Sequence, residues 1–165
     1  MLLARLLRLL TRLRRLQPQV GRLHAVLLRR SRGRIRRSLL LGGGQPVLAL
    51  TTIGRRSGKP RTTVVAYVRH ASGYAVGALN LGSDRDPGWC VNLRANPRAW
   101  VEVAGNRQAV VARETSGAEA ERLWTRFIEQ LPQVRNTRRI ARRHVPILVL
   151  ETVTAHADLT EKAVA

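Results

Sequence analysis

Six short runs set the terms on which this chain can fold: PVLALTTI (46–53), TTVVAYVR (62–69), GYAVGAL (73–79), AWVEVA (99–104), QAVVARE (108–114) and VPILVLET (145–152). Each is rich in Val, Ala or Thr and too short for an independent helix, and turn signals such as His70–Gly73 and Gly105–Asn106 separate them. Six strands at this spacing predict a small antiparallel sheet or barrel. Two helices interrupt them. One is expected through PGWCVNLRANP, with Asp86 as N-cap and Asn96–Pro97 as the stop. The other, GAEAERLWTRFIEQL, has Leu123, Phe127 and Leu131 at four-residue steps, Thr115 or Ser116 as cap and Pro132 after its end. Trp100 and Trp124 are expected in the core. The fold class is therefore α+β, mainly β, in one domain.

Charge divides the chain. Of 30 Lys+Arg, twelve fall in residues 1–45, where there is no acid; the other 18 face all ten acids in residues 46–165. The first segment opens with MLLARLLRLLTRLRRL, in which Leu2, Leu6, Leu9, Leu13 and Leu16 share one helical arc and Arg5, Arg8, Arg12 and Arg15 the neighbouring one. A basic amphipathic helix of this kind can lie in an anionic headgroup layer or pack on its own domain with a solvated basic face. A second basic helical stretch, GRLHAVLLRRSRGRIRRSLLL, is expected after Pro18, and GGGQP ends it. The organisation read from this is a basic helical extension at 1–45, a folded body at 46–153 and a tail at 154–165. Arginines interrupt every leucine run, so no stretch suits a membrane-spanning helix, and the start lacks the pattern of a cleaved signal peptide. A mitochondrial transit peptide is the minor alternative for that segment. The expected location is the cytoplasm, with residues 1–45 as a possible peripheral contact on the inner face of the membrane.

Several chemistries drop out. The single cysteine, Cys90, excludes an internal disulfide and a Cys-cluster zinc site, and His24, His70, His144 and His156 have no metal-ligand spacing, so no metal is expected. There is no Ser-His-Asp order and no paired-acid motif. The basic run VRNTRRIARRHV (134–145) invites a nucleic-acid reading, but aromatic residues are only 4% of the chain, which leaves little for base stacking and no specific nucleic-acid partner.

The stretch TTIGRRSGKPR (51–61) places Arg55, Arg56, Lys59 and Arg61 around Ser57 and two glycines. It is not a P-loop, because Gly54 and Gly58 are one residue too close and Pro60 stands where a magnesium-binding hydroxyl is needed. A dinucleotide fingerprint fails because a strand follows, not a helix. What remains is a hairpin tip offering a hydroxyl and guanidinium forks to phosphate or carboxylate oxygens. Four cations this close repel by up to ~1 kcal/mol per neighbouring pair unless an anion comes.

Taken together, LTTIGRRSGKPRTTVVAYV, GYAVGALNLGSDRDPGWCVNLRANPRAWVEV, RLWTRFIEQLPQ and RHVPILVLE resemble the deazaflavin-dependent nitroreductase family of actinobacteria, over about Pro46 to Thr152. The resemblance implies a split β-barrel that uses the 5-deazaflavin coenzyme F-420. It implies that Arg55, Arg56, Ser57 and Arg61 bind the coenzyme's phosphate and carboxylate-bearing side chain, and that Thr62, Thr63, Val64, Val65 and Ala66 continue along the same groove. Gly77, Ala78, Leu79 and Asn80 would run along the deazaflavin ring, with Asn80 near the substrate edge. Gly88, Trp89, Cys90, Val91 and Asn92 would close the groove, although Trp89 also suits a core anchor and Cys90 a small pocket-lining or buried thiol. No catalytic side chain is required, since the hydride comes from the cofactor. Members that activate nitroimidazoles carry tyrosines where this chain has Leu131, Val134, Thr137 and Ala66; Leu79 replaces a serine, and Leu81 the first glycine of a pair. The expected acceptor is thus apolar, a quinone or a nitro compound, held at Leu131, Val134 and Thr137. A homodimer is expected by analogy. An FMN- or haem-binding split barrel, or a non-enzymatic basic surface binder, stays open as an alternative.

Overall fold

The computed structural model describes residues 37–38, 45–71 and 73–153. Seven strands form one antiparallel sheet: β1 (Arg37–Ser38), β2 (Gln45–Ile53), β3 (Pro60–His70), β4 (Gly73–Gly77), β5 (Arg98–Val103), β6 (Asn106–Glu114) and β7 (Ile147–Thr152). Their order is β1-β2-β3-β4-β7-β6-β5, and β5 pairs back onto β2, which closes six of them into a barrel. Closure leaves those six strands no unpaired edge. Three helices complete the body: α1 (Gly88–Ala95), α2 (Gly117–Gln130) and α3 (Gln133–Ile140), with a one-turn 3-10 segment at Asn80–Gly82.

All six expected strands and both expected helices form, within a few residues of their sequence bounds. Four expectations are corrected. Asp86 does not cap α1: Pro87 holds the N-cap position, and the Asp86 carboxylate is taken by Arg94 and Arg143. α3 forms inside the basic run 134–145, whose apolar residues are too few for a helical stripe to stand out. Arg37 and Ser38 pair with Pro46 and Gln45 as a strand where a helical stretch was expected. Trp100 is half-buried rather than core, with the Arg107 guanidinium 5.4 Å from its ring centroid. The amphipathic Arg/Leu start and the tail 154–165 lie outside the described residues.

The period of two sorts the core into two layers. On β7, Leu148 and Leu150 point into the barrel while Ile147 and Val149 point out to the helices, so all four are buried. The inner layer is built on Leu48, Leu50, Tyr67, Tyr74, Val76 and Val101, with Cys90 and Leu93 of α1 packed into it. The outer layer sets Leu123, Trp124 and Phe127 of α2 against Val68, Ala75 and Val149. Tyr67 and Tyr74 meet edge to face at 5.1 Å between centroids. Gly73 starts β4 where a Cβ would stand 2.1 Å from the Leu150 carbonyl oxygen, so the close approach of β4 to β7 requires a residue without one.

Candidate functional site

β2 and β3 are joined by the six-residue tip Gly54–Lys59, directly after the Ile53–Pro60 pair. The tip is wound tightly: the Ser57 and Gly58 amides both donate to the Gly54 carbonyl, at 3.1 and 2.8 Å, and the Gly54 amide donates to the Lys59 carbonyl at 2.9 Å. Gly58 supplies the positive φ of 63° that this path needs. Gly54 is buried beneath it, and a Cβ there would stand 2.7 Å from the Ser57 hydroxyl. Thr51 and Thr62 lock the neck of the hairpin through their hydroxyls, 2.9 Å apart.

α1 meets this tip through one side chain. Asn92 accepts the Arg55 amide on its Oδ1 at 3.1 Å and donates Nδ2 to the hydroxyl of fully buried Thr52 at 3.0 Å. Both ends of its carboxamide are therefore used, and the hairpin is fixed to the helix that covers the barrel. Between them lies an open groove of about 320 Å³ lined by Gly54, Arg55, Arg56, Ser57, Arg61 and Asn92. Arg55, Arg56, Lys59 and Arg61 are exposed, and among the described residues none of them pairs with a carboxylate. Some arginines elsewhere do find acids: Arg94 holds Asp86 and Glu114, and Arg113 holds Glu119 and Glu151. Those bonds raise the affinity of Arg94 and Arg113 for their protons and hold Glu119 below the usual carboxylate range, chiefly through its bond to Arg113. The hairpin gathers four cations within seven residues and leaves them uncompensated, and guanidinium forks beside exposed tip amides suit phosphate and carboxylate oxygens.

The structure separates the other residues predicted for the site. Thr62, Thr63, Val64, Val65 and Ala66 run up β3, away from the tip; Val65 packs on the inner core layer and Ala66 on the outer one. Gly77 lies over the Trp124 ring and Leu79 packs on the outer layer. Ala78 is fully buried, its amide donating to the Pro146 carbonyl at 2.9 Å. Asn80 begins the 3-10 turn with a φ of 44°, and its Nδ2 is spent on the Arg85 carbonyl at 2.8 Å. Gly88 is exposed and Val91 half-buried on α1, while Trp89 is half-buried against the inner core layer. Three of the predicted side chains are buried in the core. Leu131 and Val134 are buried in the outer core layer, Leu131 at the C-cap of α2 and Val134 in the first turn of α3. The Cys90 side chain is likewise fully buried in the inner layer. Thr137 is half-buried, with its carbonyl accepting the Ala141 amide at 3.1 Å.

Burial pushes the Cys90 thiol up from 9.0 to about 11, so it stays protonated and is no nucleophile. The linkage has a definite sign. A group that ionises less readily when folded contributes stability that is intact below pH 9.0 and is lost as pH rises toward about 11. At ~1.4 kcal/mol per pKa unit, the loss is on the order of 2 kcal/mol. Urea melts at pH 8 and pH 10.5 should therefore diverge more for the wild-type chain than for Cys90→Ala; equal divergence would show that the thiol is not desolvated.

A small antiparallel barrel with a cation-lined groove at one hairpin defines the class: a split-barrel protein built to take an anionic coenzyme. The family model for F420H(2)-dependent quinone reductase matches residues 20–152, starting upstream of Pro46, where the sequence resemblance was placed. The chain is 34% identical over 136 residues to an F420H(2)-dependent quinone reductase of Mycobacterium tuberculosis, covering 80% of this chain and 89% of that one. Among solved structures, an F420-H2-dependent reductase matches with a TM-score of 0.60 at 30% identity, covering 64% of this chain and 94% of that one. A chain described as a domain-swapped dimer matches with a TM-score of 0.61 at 26% identity, covering 76% and 96%. The chain belongs to the F420H(2)-dependent quinone reductase family, whose members are F-420-dependent oxidoreductases.

Arg143, Arg94 and Thr52 carry no mark in the sequence, and Asp86 reads there only as a helix cap. Asn92–Thr52, Arg143–Asp86 and Arg143–Ala78 each join residues at least 40 apart in the chain, and one inward arginine in a run of five carries no signal that marks it.

Proposed function

We propose that this chain binds F-420 with its anionic tail at the Gly54–Arg61 hairpin and reduces a quinone-type acceptor. The observation that carries this reading is the uncompensated cation cluster lining a groove beside Asn92. The group fits: Arg55, Arg56 and Arg61 would hold its phosphate and carboxylates, with the Ser57 hydroxyl at the same tip. When bound and reduced, F-420 supplies the hydride. The protein's own part is to fix the tail by charge, to fix the tip through Asn92, and to offer the ring a small flank at half-buried Gly77, beside fully buried Ala78. No acid–base side chain is needed for that. The apolar character of Leu79 and exposed Leu81, on the segment that follows, favours an apolar acceptor over a polar one.

The test is to mix the purified chain with reduced F-420 and menadione and follow deazaflavin absorbance. Turnover that needs both components is expected; failure to quench F-420 fluorescence on binding would end the reading. The same reading places residues 1–45 on anionic lipid and pairs two copies of the chain. Because Arg37 and Ser38 belong to the sheet, the informative deletion stops at residue 36. It should abolish sedimentation with phosphatidylglycerol vesicles and leave F-420 binding intact, with light scattering reporting the dimer. Among the described residues no helix is long and apolar enough to cross a membrane.

A further inference from the structure

The segment from Ala78 to Asp86 is held in an unfavourable path. Asn80 and Leu81 follow one another at φ values of 44° and 51°, a left-handed region that non-glycine residues adopt only at a cost in free energy. Such a path persists only where its surroundings over-determine it. Two bonds within the turn, Gly82 amide to Leu79 carbonyl and Ser83 amide to Asn80 carbonyl, are too local to fix its place on the barrel.

Arg143 supplies the outside hold. It comes from the stretch between α3 and β7, with its side chain only 13% exposed. Its Nη2 donates to the Ala78 carbonyl at 2.6 Å and its Nε to the Ser83 carbonyl at 2.9 Å, one on each side of the strained pair. Nη1 donates to the His144 carbonyl at 2.9 Å and to Asp86. Asp86 in turn accepts Arg94 Nη1 at 2.6 Å, and Arg94 reaches Glu114 at 2.9 Å. One connected set of charge-assisted bonds therefore runs from the 78–86 segment to α1, the helix whose Asn92 holds the hairpin.

We propose that Arg143 is a positioning residue for hydride transfer: by clamping the Ala78 and Ser83 carbonyls and tying them through Asp86 to Arg94, it holds the Gly77–Asn80 segment, the proposed flank of the ring, in register with α1. This rests on the proposed function, in which that flank borders the deazaflavin ring. Hydride transfer tolerates little misplacement, since reacting atoms must stand about 3–3.5 Å apart and an error near 1 Å can cost about a hundredfold. Tail binding does not share that sensitivity, because the hairpin cations make no bond to Arg143.

The experiment compares full-length wild type with Arg143→Gln, Arg143→Lys and Asp86→Asn. Hydrogen–deuterium exchange of the coenzyme-free chain should rise about tenfold or more across residues 79–86 in Arg143→Gln, with residues 51–62 unchanged. The kcat for menadione should fall at least tenfold while the Kd for F-420 moves less than threefold. Arg143→Lys, which keeps a charge beside Asp86 but loses the fork, should fall between the two and serves in place of the glutamine variant if that does not fold cooperatively. Asp86→Asn should slow turnover by about threefold and add nothing in an Arg143→Gln background, since both cut the same connection. A folded variant at Arg143 with unchanged exchange at 79–86, or with kcat intact, overturns the proposal; so does a loss confined to F-420 affinity. If wild type fails to bind F-420 while exchange at 79–86 still rises in the variant, it is the proposed function that fails, and the clamp stands as a structural one.

Discussion

The triple variant Arg55→Ala/Arg56→Ala/Arg61→Ala is expected to bind F-420 about a hundredfold or more weakly than wild type at low ionic strength, and to melt at the same temperature or higher. A charge-assisted hydrogen bond is worth roughly 1.5–3 kcal/mol in favourable sites. These guanidiniums are exposed, so about 1 kcal/mol each is the safer figure, and three of them give roughly 3 kcal/mol, about a hundredfold in Kd. Stability should not suffer, because among the described residues none of the three has a carboxylate partner to lose and their mutual repulsion is relieved. Fluorescence titration against salt is the check: the gap between variant and wild type should narrow as ionic strength rises, because screening weakens the contacts that wild type has and the variant lacks. Arg122→Ala/Arg126→Ala provides the control, since both residues lie on α2 outside the groove and their loss should change Kd less than about twofold. Equal losses in the two variants would mean that general basicity, not the hairpin, attracts the coenzyme. A triple variant within threefold of wild type would remove the hairpin from the site altogether.

Why that hairpin was legible in sequence, while Arg143 was not, follows from how each is specified. The tip is local: Gly54, Gly58 and the cations between them fall within a few residues, and the strands on either side alternate in the period that names them. The barrel was legible for the same reason, since Leu148 and Leu150 against Ile147 and Val149 fixes which face is inside. Even Trp100 was decidable by that alternation, because Ala99 and Val101 beside it point inward and a residue between them must point out. The sequence expectation weighed its size instead of its phase. Non-local choices left no such trace. Arg143 is one arginine among five between residues 135 and 143, and only the fold decides which of them meets the Ala78 and Ser83 carbonyls. Asp86 has the type and place of an N-cap, yet its carboxylate is taken by Arg94 from the last turn of α1 and by Arg143 from beyond α3. Leu131 and Val134 were read as pocket residues by their alignment with tyrosines. Apolar side chains at those positions can bury themselves where a hydroxyl would have kept one edge wet, and they do.

That exchange of polar edges for core makes Trp124 the side chain on which the outer layer depends, and Trp124→Ala should cost about 3–5 kcal/mol, the range for emptying a buried aromatic site. Trp124 is 1% exposed and is first among the largest fully buried side chains. Its ring lies 5.9 Å from that of Phe127, and a Cβ on Gly77 would stand 3.3 Å from it, so β4 and α2 meet over this one residue. The Arg138 guanidinium lies 4.6 Å from its centroid and also bonds Glu121, which brings α3 onto the same ring. Neighbours such as Leu123, Leu131 and Val149 are themselves packed and can close only part of the space. A fall in Tm on the order of 10–20 °C is expected, with Trp124→Phe losing less than half as much. Gly77→Ala is the complementary change, setting a methyl 3.3 Å from the ring, which must then give by a few tenths of an ångström. If the two sites meet as described, Gly77→Ala should be markedly less costly in the Trp124→Ala background than in wild type, because the cavity accepts the added methyl. Thermal melts of the four proteins decide it, and additive losses would show that β4 does not rest on Trp124.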